Sequence, residues 1–307
     1  MNTLGAYKNG NYTVTIYEDG TKILNTDDKE FIASTIDSFD FKITDCCDMQ
    51  CKFCHENSTP YGKHADILSD SFIDKLHPYT EIAIGGGNPI SHPDLLKFLM
   101  KCKKLKLIPN ITINQKHFMD NIDIIDFMVE NKYIYGIGIS LTSVTTEFIK
   151  QVKRFPNAVI HVINGIVTME QLQKLRHNNL KILVLGYKEF RRGLALYNDL
   201  SECTNIEHNK NDLRNNIKSI IDGKWFNVVS FDNLALEQLD VKSILSEQHW
   251  NEFYMGDDGI SGNYNSATMY VDMVNKKFAK NSCEPINKRF DLLSTAEEMF
   301  NILKTTE

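Results

Sequence analysis

The chain has 307 residues, of which 42% are hydrophobic and 24% charged, so it can bury a large core as one or two domains. Its net charge of -6 argues against a nucleic-acid-binding surface. The N-terminus lacks a secretory signal pattern, and no segment approaches the roughly 18 apolar residues that span a bilayer, so we expect a cytoplasmic protein without a membrane partner.

The first predicted element is a β-hairpin in residues 11–24, where Asp19-Gly20 supplies the turn. The apolar residues that alternate with polar ones before the turn are Tyr12, Val14 and Ile16. Residues 1–38 are few for a separate recognition domain. We interpret them as a β-ribbon extension that closes one end of the main domain.

Strands and helices alternate from residue 39 to residue 190. The predicted strands are 39–46, 81–84, 108–114, 134–141, 158–164 and 181–186, and the predicted helices between them are 67–76, 92–105, 121–131, 145–154 and 169–178. These strands are mostly continuous apolar runs, which are typical of strands covered by helices on both faces. At least six βα units predict an α/β fold with a parallel sheet that bends toward a full or partial barrel. Ligands bind such sheets at the carboxyl ends of the strands.

The remaining residues, 191–307, are less regular and read as a C-terminal α/β extension that completes the barrel. They are predicted to contain a polar helical stretch (191–223), a strand (226–231), a helix from about Leu234, a hairpin (268–281) that turns at Asn275-Lys276, and a terminal helix. With no linker or repeat, the whole chain is predicted to form one compact domain.

Three of the seven cysteines, Cys47, Cys51 and Cys54, lie within eight residues. This spacing is typical of a metal site and suits a reducing compartment better than a disulfide scaffold. A structural zinc site needs four protein ligands, and His55 or His64 could supply the fourth. A [4Fe–4S] cluster held by three thiolates instead keeps one iron open. The cysteine spacing allows either the zinc site or the cluster. A zinc site would make the chain a zinc-binding interaction protein.

The spacing Cys-x3-Cys-x2-Cys, with Phe53 directly before the third cysteine, resembles the signature of the radical S-adenosylmethionine (radical SAM) superfamily. The resemblance implies a partial (β/α)6-type barrel and a [4Fe–4S] cluster on Cys47, Cys51 and Cys54, with Cys46 out of register. It also implies that the open iron chelates SAM, and that reductive cleavage yields a 5'-deoxyadenosyl radical that abstracts hydrogen from a substrate. Flavodoxin or ferredoxin is the implied electron donor.

A second stretch, Gly85-Gly86-Gly87-Asn88-Pro89, resembles the Gly-Gly-Glu-Pro motif of the same family, with Asn88 in place of glutamate. Glycines let main-chain oxygens approach a ligand closely. The resemblance implies SAM contacts by this stretch, by the backbone of Phe53, and by polar residues at the strand ends. The cofactor-binding candidates are Phe53, Gly85, Gly86, Gly87, Asn88, Ser140 and Asn164.

Polar residues that leave the cysteine loop are candidates for substrate contact or proton transfer, and an isolated thiol could donate hydrogen. These catalytic candidates are His55, Glu56, His64 and Cys283. Arg191-Arg192 could position a carboxylate or phosphate, but it reads mainly as an ion pair or solvated loop. Asp257-Asp258-Gly259 reads as a turn or a polar substrate contact.

One cluster motif and no recognisable peptide-recognition module favour a small-molecule substrate, and modification of a peptide is the alternative. We expect apolar barrel walls that exclude water from a reactive radical.

Overall fold

The computed structural model describes residues 2–69, 72–253 and 267–305, with the backbone alone for 251–253. The turn predicted at residues 257–259 lies outside the described residues. The strands are β1 (Thr3–Asn9), β2 (Tyr12–Tyr17), β3 (Lys22–Asn25), β4 (Ser38–Thr44), β5 (Glu81–Gly86), β6 (Ile108–Asn114), β7 (Gly136–Ser140), β8 (Ala158–Ile163), β9 (Lys181–Leu185), β10 (Val228–Phe231), β11 (Thr268–Asp272), β12 (Lys277–Ala279) and β13 (Phe290–Asp291).

Helices connect most of the parallel strands. They are α1 (Leu95–Lys104), α2 (Gln115–Asp120), α3 (Ile122–Glu130), α4 (Thr146–Val152), α5 (Met169–Leu175), α6 (Arg192–Tyr197), α7 (Leu200–Asp222), α8 (Asn233–Gln238), α9 (Val241–Ile244), α10 (Glu247–Phe253) and α11 (Ala296–Thr305). Among the described residues, none of the helices combines the length and hydrophobicity that crossing a membrane requires.

The main sheet has ten strands in the order β10-β9-β8-β7-β6-β5-β4-β11-β12-β13. Strands β4 to β10 lie side by side in chain order, all parallel, and β11 is parallel to β4 on the other side. The hairpin β11–β12 is the one predicted from residues 268–281, and β13 adds a short antiparallel edge that was not predicted. The predicted mostly parallel α/β fold is confirmed.

The parallel strands alternate between two environments. In β6, Ile111 and Ile113 are buried under the helices, whereas Asn110, Thr112 and Asn114 face the concave side of the sheet. The apolar runs seen in the sequence are therefore interrupted at every second position by residues that face a cavity.

The N-terminal ribbon β1-β2-β3 contains the predicted hairpin as β2–β3 and one further strand, β1. It packs at the amino end of the main sheet, where Lys132 Nζ lies 3.0 Å from Glu18 Oε1 and Asn157 donates to the Glu18 carbonyl oxygen at 2.8 Å. Lys22 pairs with Glu81 at 2.7 Å. These contacts support the interpretation that the ribbon closes this end.

In the described part of the predicted helix 67–76, residues 67–69 are irregular and Phe72–Lys75 forms a single 3-10 turn. Asp66 accepts hydrogen bonds from the backbone N–H groups of Leu68 and Ser69. Side-chain bonds of this kind compete with helical hydrogen bonds. The apolar spacing of the segment reflects burial of Ile67, Phe72 and Ile73 without a helix.

Candidate active site

The concave side of the sheet encloses a cavity of about 1130 Å³. Strands from opposite ends of the parallel region contribute to it, because Asp40 of β4 and Ser230 of β10 both line it. The sheet therefore curves around the cavity as a partial barrel. Its carboxyl end is formed by the cysteine loop and its amino end by ribbon residues such as Ile16 and Asp19.

The cysteine loop follows β4 and presents Cys47, Cys51 and Cys54 to the cavity. Cys47 N donates to the Thr59 carbonyl oxygen at 2.8 Å, and Cys54 N donates to the Cys51 carbonyl oxygen at 3.2 Å, so the loop folds back on itself. Burial raises the pKa of the Cys47 and Cys51 thiols. Thiolates at these positions therefore need a bound cation, as a metal centre provides.

The donor set distinguishes between a single ion and a cluster. Among the described residues, Cys47, Asp48 and His117 bring their donor atoms within 4.8 Å of one another, whereas neither His55 nor His64 forms such a group with the cysteines. A tetrahedral zinc site gathers four donors around one point, but a cubane spreads its thiolates over separate irons. Three thiols on one loop fit the cluster.

Side chains from later elements hold the loop in place. His117 of α2 lies 2.6 Å from the Asp48 carboxylate, and Arg191 donates to the His55 carbonyl oxygen at 2.9 Å. Arg192 donates to the Ser58 carbonyl oxygen. The predicted ion pair is present, since Arg191 also lies 3.5 Å from the Glu56 carboxylate, but the other partners of the two arginines are backbone oxygens of the cysteine loop. Sequence spacing gave no signal for these contacts.

The three glycines after β5 differ in their surroundings. A Cβ on Gly86 would overlap the Thr44 carbonyl oxygen, and one on Gly87 would overlap the Cys46 carbonyl oxygen. Gly86 also has a φ of 111°, which side-chain-bearing residues rarely adopt. By contrast, a Cβ on Gly85 would meet open space at the cavity. Gly86 and Gly87 therefore pack against the start of the cysteine loop, and Gly85 leaves room for a ligand.

The other cofactor-binding candidates divide into two groups. Phe53 and Ser140 line the cavity. Asn88 accepts a hydrogen bond from Ile90 N and caps the 3-10 turn Pro89–Ser91, and it does not line the cavity. Asn164 is fully buried and donates to Gln238 at 3.2 Å, so its side chain is also directed away from the cavity.

Glu56 belongs to a buried charge network behind the loop. Its carboxylate lies 2.8 Å from Lys42 Nζ and accepts a hydrogen bond from the Tyr270 hydroxyl at 3.2 Å. Burial opposes ionisation, but the neighbouring His55 ring and the Lys42 ammonium outweigh it and lower the pKa of Glu56 to about 2. An ionised, paired carboxylate is suited to holding the loop rather than to donating protons.

Lys42 extends this network to β11, since its ammonium also lies 2.7 Å from Asp45 and 3.4 Å from Asp272. Asp272 in turn pairs with Arg289 at 3.1 Å.

The remaining catalytic candidates occupy different places. His55 lines the cavity near Lys188, and burial together with that ammonium lowers the pKa of His55 to about 3, so its ring is neutral at pH 7. His64 is exposed, shares a 2.9 Å hydrogen bond with the Thr44 hydroxyl, and does not line the cavity. Cys283 follows Ser282, which lines the cavity and accepts from Lys188 at 2.9 Å.

The cavity also contains polar residues that were not predicted: Asp40, Asn110, Thr112 and His161. Most of the cavity surface is nevertheless apolar, as expected, and these polar side chains interrupt it. Asn110, Thr112 and His161 occupy alternate positions in β6 and β8 and face glycines of β7, whose sequence is Gly-Ile-Gly-Ile-Ser, whereas Asp40 lies in β4. Polar residues at every second position of a predicted buried strand were the available signal.

Comparison with known proteins agrees with this geometry. Residues 41–166 match the family model described as the radical SAM superfamily. No curated protein sequence matches the chain at a significant level.

Among solved structures, Streptococcus suis SuiB bound to S-adenosylmethionine is 17% identical, with a TM-score of 0.50 over 81% of this chain and 61% of SuiB. SuiB bound to its precursor peptide SuiA is 17% identical, with a TM-score of 0.52 over 85% of this chain and 63% of that one. The chain thus spans about three fifths of the length of SuiB, with which it shares a fold. Since the cysteine and glycine loops both lie within residues 41–166, this part of the chain is similar to the radical SAM superfamily of enzymes, whose members use a [4Fe–4S] cluster and SAM.

Proposed function

We propose that this chain binds a [4Fe–4S] cluster through Cys47, Cys51 and Cys54, and that its activity is the reductive cleavage of SAM with hydrogen abstraction from a substrate in the cavity. The observation that carries the proposal is the position of the three thiols at the carboxyl-end mouth of a cavity of about 1130 Å³. Bound there, the cluster would supply an electron and an open iron for SAM.

The protein's own residues would position these groups. Gly85 keeps space open beside the cysteine loop, and Phe53 and Ser140 line the same space. The ion pair between Lys42 and Glu56 joins the loop to β4. We propose that Phe53, Gly85 and Ser140 contact SAM directly, while Gly86, Gly87 and Asn88 shape the loop that carries these contacts.

The substrate is proposed to be a small molecule that enters the cavity, and a ferredoxin or flavodoxin is proposed as the electron donor. A peptide is the second candidate, because SuiB was solved with its precursor peptide SuiA and shares this fold. Both candidates place the reacting group inside the barrel.

The test is anaerobic reconstitution with iron and sulfide, followed by reduction with dithionite in the presence of SAM. We expect about four irons and four sulfides per chain and the release of 5'-deoxyadenosine. Cys51→Ala should abolish both. Cys203→Ser, on α7 outside the loop, is the matched control and should leave both intact.

A colourless protein that binds one zinc ion per chain and releases no 5'-deoxyadenosine would contradict the proposal and favour the zinc-binding alternative. Cys46→Ser tests whether Cys46 is a cluster ligand in place of Cys47. The proposed ligand set predicts full iron content in this variant.

A further inference from the structure

The Asp40 carboxylate is a charged group in the cavity wall. Asp40 lies in the middle of β4 and lines the cavity, and its side chain is accessible from that space. Among the residues that the structure describes, none forms a hydrogen bond or salt bridge with it. A carboxylate that faces a cavity without a protein partner is free to form a charge-assisted hydrogen bond with a cationic group of a ligand.

Three other polar residues face the same cavity. His161 is half-buried there, and in the described part of the chain no side-chain hydrogen bond is made by His161, Thr112 or Asn110. Gly138 allows the His161 ring and the Thr112 hydroxyl to approach each other, because a Cβ on Gly138 would overlap the ring. Gly136 likewise leaves room for the Asn110 amide. We call Asp40, Asn110, Thr112 and His161 the floor residues.

Enclosure by the cavity walls raises the pKa of the Asp40 carboxyl group, the Lys188 ammonium lowers it, and Glu56 and Asp232 raise it. A cationic ligand in the cavity would therefore favour the ionised carboxylate. The nearby cation, Lys188, is directed to Ser282 and His55. His161 is neutral at pH 7, since burial lowers its pKa to about 4, so it can accept or donate a hydrogen bond without repelling a cation.

We propose that the floor residues bind the substrate, with Asp40 as the counter-ion of a cationic nitrogen, an alkylammonium or guanidinium group, and with the other three as hydrogen-bond partners of its remaining polar groups. This inference rests on the proposed function, because it places the substrate of the radical reaction in the same cavity. Substrate specificity then comes from charge at the floor, and the reacting carbon lies between the floor and the cysteine loop.

The test measures binding to the reconstituted protein with SAM present. The probe is 1,5-diaminopentane and the neutral match is 1,5-pentanediol. We expect the diamine to bind at least tenfold more tightly than the diol, and Asp40→Asn to remove that difference. Asp291→Asn, an exposed aspartate on β13, is the control and should bind like the wild type. Equal binding of diol and diamine by the wild-type protein would overturn the proposal without requiring any variant to fold.

Two further measurements test whether the amine belongs to a peptide and whether Asp40 binds SAM instead of the substrate. The first compares the binding of acetylated, amidated Gly-Lys-Gly with that of its norleucine analogue, and it tests an amine carried on a peptide. If the lysine peptide bound more tightly than the diamine, the site would be assigned to a peptide side chain. If Asp40→Asn weakened SAM binding as strongly as diamine binding, the carboxylate would serve SAM and the proposal would be wrong. Release of 5'-deoxyadenosine by the wild type reports separately on the proposed function.

Discussion

Single residues at the glycine loop have separate tasks, although the sequence presents them as one motif. Gly86 and Gly87 lack a Cβ because the backbone of Thr44 and Cys46 occupies that space. Only Gly85 faces the cavity with open space around its missing side chain. A substitution in this triplet should therefore affect either the cysteine loop or the ligand, depending on its position.

We predict that Gly85→Val lowers SAM affinity about tenfold or more and leaves iron content unchanged, because its side chain would occupy ligand space. Gly86→Ala should instead reduce both iron content and thermal stability, since a Cβ there displaces Thr44 and the φ of 111° adds strain. Iron analysis and SAM titration of the two variants check this. Normal cluster assembly in Gly86→Ala would refute the packing argument.

A second residue-scale prediction concerns His161. Its pKa is about 4 in the folded chain because of burial, whereas an unfolded histidine has a pKa near 6.5. Between these values the unfolded chain binds more protons, so stability falls as the pH is lowered through this window. From pH 7.5 to pH 5, the wild type should lose about 2 kcal/mol more unfolding free energy than His161→Gln.

Urea denaturation of the protein without its cluster, at both pH values, measures this difference. The other histidines are the same in both proteins, so their contribution to the pH dependence cancels in the comparison. Equal losses in the two proteins would show that His161 contributes no pH dependence.

At the scale of elements, strand β11 joins the C-terminal hairpin to the cysteine loop. Asp272 at its end is fully buried and pairs with Lys42 of β4 and with Arg289. Lys42 also holds Glu56, two residues after the last cysteine of the motif. The loop is thus supported by a strand more than two hundred residues away in the chain.

We predict that Asp272→Asn destabilises the protein by roughly 3–5 kcal/mol, because it leaves the buried Arg289 and Lys42 charges short of a partner. Asp291→Asn removes an exposed partner of Lys277 and should cost less than about 1 kcal/mol. Thermal unfolding of the two variants provides the comparison. A similarly small loss of stability in both variants would mean that the buried charge network does not stabilise the hairpin.

At the scale of the whole molecule, the N-terminal ribbon and the barrel share one hydrophobic core. Tyr12, Val14 and Ile16 are buried in the same cluster as the barrel strands. Asp37, directly before β4, accepts hydrogen bonds from Tyr7, Asn9 and Tyr12 of the ribbon. We therefore propose that residues 1–38 are an integral part of a single domain.

Hydrogen exchange tests this proposal. We predict that the amides of Val14 and Ile16 in β2 are protected to the same free energy as those of Ile82 and Ile84 in β5, because both open only in global unfolding. Exchange in β2 that is a hundredfold faster would instead make the ribbon a separately unfolding unit.

The sequence predicted most of the strands and the order of the βα units, because residues close together in the chain determine them. The cysteine spacing is read directly from the sequence. The helix predicted at 67–76 failed because side-chain bonds from Asp66 replaced helical ones. The prediction of SAM contacts by Asn164 rested on its place at a strand end, and its side chain is directed instead to Gln238.

The sequence by itself determined that three thiols lie on one loop after a strand, since their separation along the chain limits their distance in space. Only the tertiary structure decided what surrounds them. The floor residues come from strands up to 121 positions apart, Asp40 to His161, and sheet register and curvature bring them to the wall of one cavity. Such long-range pairing depends on packing of the whole sheet, which no local pattern encodes.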